Sequence, residues 1–304
     1  TDTVQYYSDW LLERFKEGFM YSRNPLFPNK IIRYELNPNV IDCVVFCSKN
    51  YEPILNRLHE ITDKFNSYFY YTITAYGTDI EPNVPTIDKS IETLKKLSQI
   101  VGKHKLAWRY TPILLTEKYT KKIHYETFEY IMRSIAQYID RCIVGFVRMY
   151  PKVIINMPEI ITINDNGKNE IMQNIGQISA KYHIKTQACA TSEDYSKLGI
   201  IKSGCMTTEI LGNANNITFK KLNQKGNREG CMCIETRNIG DYDTCPNGCK
   251  YCYANNNANA AKKNYLNHNP HSPFILGNFN PEDEIQQCSQ KSFLLQPDKQ
   301  TKLF

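Results

Sequence analysis

Short apolar, β-branched runs alternate with stretches of helical period along most of the chain. Residues 6–19 open the series as an amphipathic helix with Trp10, Leu11, Phe15 and Phe19 on its apolar stripe. Pro25 and Pro28 then mark a loop. Residues 42–49 (DCVVFCSK) read as a buried strand, and 53–65 as the helix that follows it. The alternation continues with a strand at 68–76, a helix at 88–101 and a strand at 106–115 interrupted by Pro112. Next come a helix at 121–138, a strand at 141–149, a helix at 169–182 and a strand at 184–189. A short helix starts at Ser192, where Glu193 and Asp194 suit the positive end of a helix.

Strands that are almost continuously apolar are expected where both faces of a sheet are covered. Strands alternating with helices of this length predict a parallel sheet. The expected fold class is therefore α/β. A complete or partial (β/α) barrel of the TIM type is favoured by length and repeat number, and a doubly wound open sheet is the alternative. Residues 206–230 are weakly patterned and read as a loop or extension, whereas 235–240 read as one more strand. The barrel is expected over residues 1–254, possibly permuted so that its last strand carries a cysteine-rich loop at 245–252. Residues 255–304, rich in Asn and Pro, are expected to form an irregular extension packed on it. The chain enters its helical pattern almost at once after Thr1, which leaves room for a strand upstream.

Composition narrows the function classes. Hydrophobic residues make up 41% and charged residues 22% of 304, enough apolar content for a sizeable core. The net charge of +6 comes from scattered Lys and Arg, so binding to nucleic acid is permitted but not indicated. No apolar run of membrane-spanning length and no charged-then-apolar leader pattern occurs, so no membrane partner is expected. There are 11 cysteines, an odd number, and those from Cys189 to Cys252 are crowded together. Crowding of this kind favours metal binding over a disulfide framework and predicts a reducing cytoplasm.

The strongest local signal is Cys245-Pro-Asn-Gly-Cys249-Lys-Tyr-Cys252. Three thiolates on one tight loop, helped by Pro246 and Gly248, can hold three irons of a cubane cluster and leave the fourth iron open. An open iron can take a chelating amino acid such as the methionine end of S-adenosylmethionine. Two alternatives stay open from the residues alone. One is structural zinc, although only Cys249 and Cys252 form a CxxC pair and the next His is His268. The other is an electron carrier or redox sensor whose cluster is closed by a fourth thiolate such as Cys233.

The triplet, with the aromatic Tyr251 just before its third cysteine, resembles the radical S-adenosylmethionine superfamily. Within it, Asn238-Ile239-Gly240 and Tyr251-Cys252-Tyr253-Ala254 look like the subset that includes spore photoproduct lyase. Most of the chain also resembles a bacterial family of radical-SAM-like proteins with the motif near the C-terminus. The carrying pieces are Arg23-Asn24-Pro25, Lys49-Asn50, the segment from Gly77 to Pro85, Trp108-Arg109-Tyr110, Gln187-Ala188-Cys189 and the triplet. The resemblance implies a [4Fe–4S] cluster on Cys245, Cys249 and Cys252, S-adenosylmethionine as cofactor, and Tyr251 beside its adenine. It also implies reductive cleavage to a 5′-deoxyadenosyl radical and a reducing partner such as flavodoxin or ferredoxin. A nucleic-acid lesion lyase is the narrower form of this expectation. In most of the superfamily the triplet follows the first barrel strand, here the last, and no Gly-Gly-Glu-like segment is present.

Further candidates lie elsewhere. Cys189, Cys205, Cys231 and Cys233 could hold a second [4Fe–4S] cluster, since the thiols of Cys231 and Cys233 can both reach one metal centre. Cys43, Cys47 and Cys142 read as core packing. Lys49, Arg109, Arg148 and Gln187 fall at or near strand ends, where barrel sites form, and are expected to contact S-adenosylmethionine or substrate. Arg109 lies inside an apolar strand, where an unpaired guanidinium is costly, so it is expected either to bind a carboxylate or to form a buried ion pair. Asp79 and Glu81, in a Pro-rich loop, read as surface residues within reach of the site, and no catalytic residue is assigned.

Overall fold

The computed structural model describes residues 1–24, 27, 29–226 and 228–295. Pro25 and Pro28 of the expected loop lie outside the described residues, as does the end of the C-terminal extension. The N-terminal helix is split. α1 (Thr3–Tyr6) is capped by the Asp2 side chain, and α2 (Ser8–Glu17) stops at Gly18, whose φ of 82° belongs to the left-handed region. Phe19, expected on the helical stripe, instead opens β1 (Phe19–Arg23), which pairs antiparallel with β2 (Lys30–Glu35).

The main sheet begins with β3 (Val44–Ser48). The helix expected at 53–65 is a 3₁₀ turn over Glu52–Arg57 followed by the single turn α3 (His59–Thr62). The series then runs β4 (Ser67–Thr72), α4 (Ile87–Val101), β5 (Leu106–Ile113), α5 (Lys121–Ile135), β6 (Arg141–Phe146), α6 (Pro151–Asn156), α7 (Asp165–Lys181), β7 (Lys185–Ala188) and β8 (Ile200–Lys202). The long helices start where a short polar side chain satisfies a free backbone N–H. Thr86 accepts from Lys89, Thr120 from Ile123 and Asn164 from Gly167. Residues 206–230 are not wholly loop, because α8 (Thr208–Asn215) forms there behind the Thr207 cap. The C-terminal extension is not wholly irregular either. It contains α9 (Ala258–Leu266) and β9 (Glu284–Gln287), the latter parallel to β2.

The six strands β3 to β8 are all parallel and lie side by side in chain order. Crossovers that keep one hand and one direction place their helices on the same face. On that face Phe69, Tyr71, Trp108, Tyr110 and Val144 pack with Leu94, Phe128, Ile131 and Ile175. Alternate residues Tyr68, Tyr70, Ala107 and Ile143 point the other way, and Ile210, Leu211, Cys205 and Cys233 cover them. The order shows no reversal of the kind that marks a doubly wound sheet. Among the described residues β3 and β8 are edges that do not pair with each other, so the sheet is open and no closed barrel forms.

His124 of α5 is buried behind β5. Its Nδ1 lies 2.7 Å from the Tyr110 hydroxyl and its Nε2 2.8 Å from the Leu114 carbonyl, so the neutral ring is fully satisfied. Burial pushes its pKa down, only partly opposed by the Leu114 carbonyl. A His whose folded pKa lies below its unfolded value stabilises fully above about pH 6.5 and loses that contribution as pH falls. Urea unfolding at pH 7.5 and pH 5.5 should therefore show a larger acid loss for the natural chain than for His124→Gln. Equal losses would remove His124 from the account.

Candidate functional site

The strand expected at 235–240 does not form. Among the described residues that stretch shows only an isolated bridge beside it, between Gln224 and Ile234. The cysteine loop is therefore not carried by a last strand. It is held by the N-terminus instead. The Asp2 carboxylate accepts from Ser48 Oγ at 2.6 Å and Lys49 N at 2.9 Å, at the C-terminal end of β3. Beside it Thr1 Oγ1 donates to the Asp241 carbonyl at 2.6 Å, Tyr7 Oη to the Thr244 carbonyl at 2.7 Å, and Tyr6 Oη to Asn247 Oδ1 at 2.9 Å. Burial pushes the Asp2 carboxyl up, and the donors from Lys49, Ser48 and Gln5 oppose the shift.

The loop after β4 closes the other side. Lys250 N donates to the Ile80 carbonyl at 3.0 Å, and Asn83 Nδ2 to the Pro246 carbonyl at 2.8 Å. Gly248 sits at φ 68°, and a Cβ there would stand 3.0 Å from Pro82. Only glycine suits both the turn and the approach. The triplet thus lies past the ends of β3 and β4, the first strands of the sheet, although it comes last in sequence.

Cys245, Cys249 and Cys252 are all free and half-buried. Burial and the nearby Asp2 push the Cys245 thiol up to about 11. Burial also raises Cys249, with Lys49 pulling the other way. The Ala254 N–H points at Cys252 Sγ, 3.4 Å away. Tyr251 donates to Glu81, and its ring lies 5.9 Å from Lys49 Nζ. Glu81 is only 2% exposed, which corrects its expected place on a surface loop. Its carboxylate accepts from Lys49 Nζ at 2.8 and 2.9 Å and from Thr74 Oγ1 at 2.7 Å. Burial disfavours the Lys49 charge, but Glu81 and Cys249 more than compensate and its pKa is raised. Asp79 does lie on the surface, 3.0 Å from Lys118. A groove of about 510 Å³ opens beside Cys245, walled by Tyr6, Pro82, Asn83 and Tyr265. Sequence reasoning missed Asp2 and gave Glu81 the wrong environment. The only available signal was that the Glu81 loop follows a strand end.

Cys189, Cys205, Cys231 and Cys233 gather on the sheet face that α8 covers, opposite the crossover helices. Cys189 Sγ lies 3.9 Å from Cys205 Sγ, and Cys205 Sγ 3.5 Å from Cys233 Sγ. Cys231 adjoins Cys233. Arg109 belongs to this group and not to the triplet. Its Nη1 is 3.4 Å from Cys47 Sγ, its guanidinium lies 5.6 Å from the Tyr70 ring centroid, and its Nε is buried without a partner. Among the described residues no carboxylate pairs with it, so the expected alternative of a buried ion pair does not form. Burial opposes its charge, while Cys47, Cys189 and Cys205 hold its pKa up. Cys47 is exposed and faces Arg109, which corrects its assignment to core packing, whereas Cys142 is buried. Gln187 ties strand to loop through Arg141 and the Gly204 carbonyl, and Arg148 donates to the carbonyls of Ala190 and Glu229. Among the described residues, no three His, Cys, Asp or Glu side chains already enclose a single ion.

A family model described as "Domain of unknown function (DUF1848)" matches residues 1–254. The chain belongs to this family. The DUF1848 match takes in the whole sheet and both groups of cysteines, and it stops directly after the triplet. Helix α9 and strand β9 lie beyond it. No curated protein and no solved structure matches the chain. No helix among the described residues is long and apolar enough to cross a membrane.

Proposed function

We propose that this DUF1848 protein is a radical S-adenosylmethionine enzyme built on a partial (β/α) barrel, with a [4Fe–4S] cluster held by Cys245, Cys249 and Cys252. The observation that carries the reading is the position of the triplet. It lies at the C-terminal ends of the first parallel strands, against Tyr251 and the buried Lys49–Glu81 pair. Parallel α/β sheets form their sites at that edge.

The residues present fit the cluster. Three free thiols share one loop, a backbone N–H already points at one of their sulfurs, and Lys49 provides a cation beside Cys249. Cys233, the candidate fourth thiolate, packs on Cys205 instead, which favours an open iron over a closed electron carrier. When bound, the cluster would supply the electron that splits the sulfonium bond of S-adenosylmethionine into methionine and a 5′-deoxyadenosyl radical. The protein's part is placement. Tyr251 would lie against the adenine, and the Lys49–Glu81 pair offers a cation and an anion to the amino-acid end of the cofactor. A flavodoxin or ferredoxin would deliver the electron.

The test is anaerobic reconstitution with iron and sulfide, reduction, and addition of S-adenosylmethionine. Production of 5′-deoxyadenosine and methionine is expected, together with an EPR spectrum that changes on adding the cofactor. A spectrum indifferent to S-adenosylmethionine, or zinc bound at the triplet in place of iron, would overturn the reading.

A further inference from the structure

We infer that Cys189, Cys205, Cys231 and Cys233 form a second metal site, which takes one tetrahedral zinc ion, with Arg109 as its counter-cation. The sulfur spacing separates this from the second iron–sulfur cluster expected from the sequence. Zinc–sulfur bonds of about 2.3 Å in a tetrahedron set neighbouring sulfurs about 3.8 Å apart. The two thiol contacts in this cluster are 3.9 and 3.5 Å. A cubane holds its cysteine sulfurs on outer corners, much farther from one another.

The surrounding chain is shaped for this convergence. The segment carrying Cys231 and Cys233 lies so close to two glycines that no side chain would fit at either. A Cβ on Gly204 would stand 2.3 Å from the Met232 carbonyl oxygen, and one on Gly226 would stand 2.5 Å from Cys231 Sγ. Gln187 fixes the Gly204 carbonyl from the sheet side at 2.9 Å. Cys205 and Cys233 are 7% and 8% exposed, so the centre would be shielded from water. The thiols form a chain of contacts from Cys189 to Cys205 to Cys233, with Cys231 packed against the same cluster, that does not yet close on one point. Zinc would draw the outer two, Cys189 and Cys231, inward by side-chain rotation, releasing the four thiol protons.

Charge supports the same assignment. A zinc ion with four thiolates carries a net charge of −2, which is costly away from water without a cation. Arg109 is that cation. Its guanidinium lies 5.6 Å from the centroid of the Tyr70 ring, whose hydroxyl donates to the Cys205 carbonyl, and among the described residues no carboxylate neutralises it. Its position within an apolar strand is then explained by the metal centre behind it.

The site is tested apart from the triplet, so that its failure and that of the cluster are separable. In full-length protein carrying Cys245→Ser, Cys249→Ser and Cys252→Ser, one equivalent of Co²⁺ should produce the visible absorption of a tetrahedral thiolate centre. One equivalent of Zn²⁺ should abolish it, and adding Cys205→Ala or Cys233→Ala should prevent it. Arg109→Leu should weaken zinc binding by about tenfold, with Arg109→Lys retaining most of the affinity. On the unsubstituted chain, zinc should block alkylation of these four cysteines, read residue by residue by mass spectrometry, and leave Cys47 and Cys288 reactive. No cobalt absorption, a cobalt signal indifferent to Cys205→Ala, or four cysteines that stay reactive with zinc would each overturn the proposal. So would assembly of a sulfide-containing iron cluster at these residues in the triple-serine protein.

Discussion

Replacing Cys249 with alanine is expected to abolish cluster assembly and, with it, all formation of 5′-deoxyadenosine. Cys249 is the middle ligand of the triplet, and its backbone carbonyl accepts from the Cys252 N–H at 3.0 Å within the same turn. Two remaining thiolates cannot hold three irons of a cubane, so reconstituted protein should lose the roughly four irons bound there and the associated visible absorption. The thiol is half-buried, so the apo protein should unfold within about 1 kcal/mol of the natural chain. Loss of iron with stability retained identifies a ligand, whereas a core residue would do the reverse. Cys288→Ala, remote from the loop, serves as the control and should change neither iron nor product. If Cys249→Ala keeps its iron, the triplet is not the cluster site.

Glu81→Ala is expected to cost about 3–5 kcal/mol, because it leaves the Lys49 ammonium buried without its partner. It also strands the hydroxyls of Thr74 and Tyr251, both of which donate to that carboxylate. Removing both charges, as Lys49→Met with Glu81→Leu, should recover most of the loss, since an apolar pair of similar volume avoids the desolvation cost. The pH dependence follows from the raised pKa of Lys49. Its contribution is fully present below the unfolded lysine value of about 10.4 and is lost as pH rises through the higher folded value. Urea unfolding should therefore show an advantage of the natural chain over Lys49→Met that is constant near neutrality and shrinks only in strong alkali. An advantage that vanishes between pH 6 and 8 would show that the pair is not what holds the loop. Because Glu81 also faces Tyr251, the variant should lose S-adenosylmethionine cleavage even where it remains folded.

Much of the main sheet could be read from the chain because its signals are local. Period-two and period-3.6 patterning marks β4 to β7 and the long helices α4, α5 and α7 between them without reference to anything distant, but it gives no sign of the short α6. The same locality explains the errors. The β1–β2 hairpin is short and its half-buried positions carry aromatic residues, so it shows no clean alternation. Residues 235–240 have strand-like composition, but a strand also needs a free neighbouring edge, and this segment is bonded only at Ile234.

The site divides in the same way. The spacing of Cys245, Cys249 and Cys252 is a property of one loop, so the sequence by itself determined the strongest metal-ligand candidates. The expense of an unpaired Arg109 was also legible, because a guanidinium in an apolar strand is conspicuous wherever it lands. Its surroundings were not. Which thiols face Arg109, how Glu81 meets Lys49 across 32 residues, and how Asp2 moors the last loop to the first strand all depend on where separate segments arrive in space. Tertiary structure alone decided these contacts, because burial and long-range pairing create the charges' environments only after the sheet has assembled.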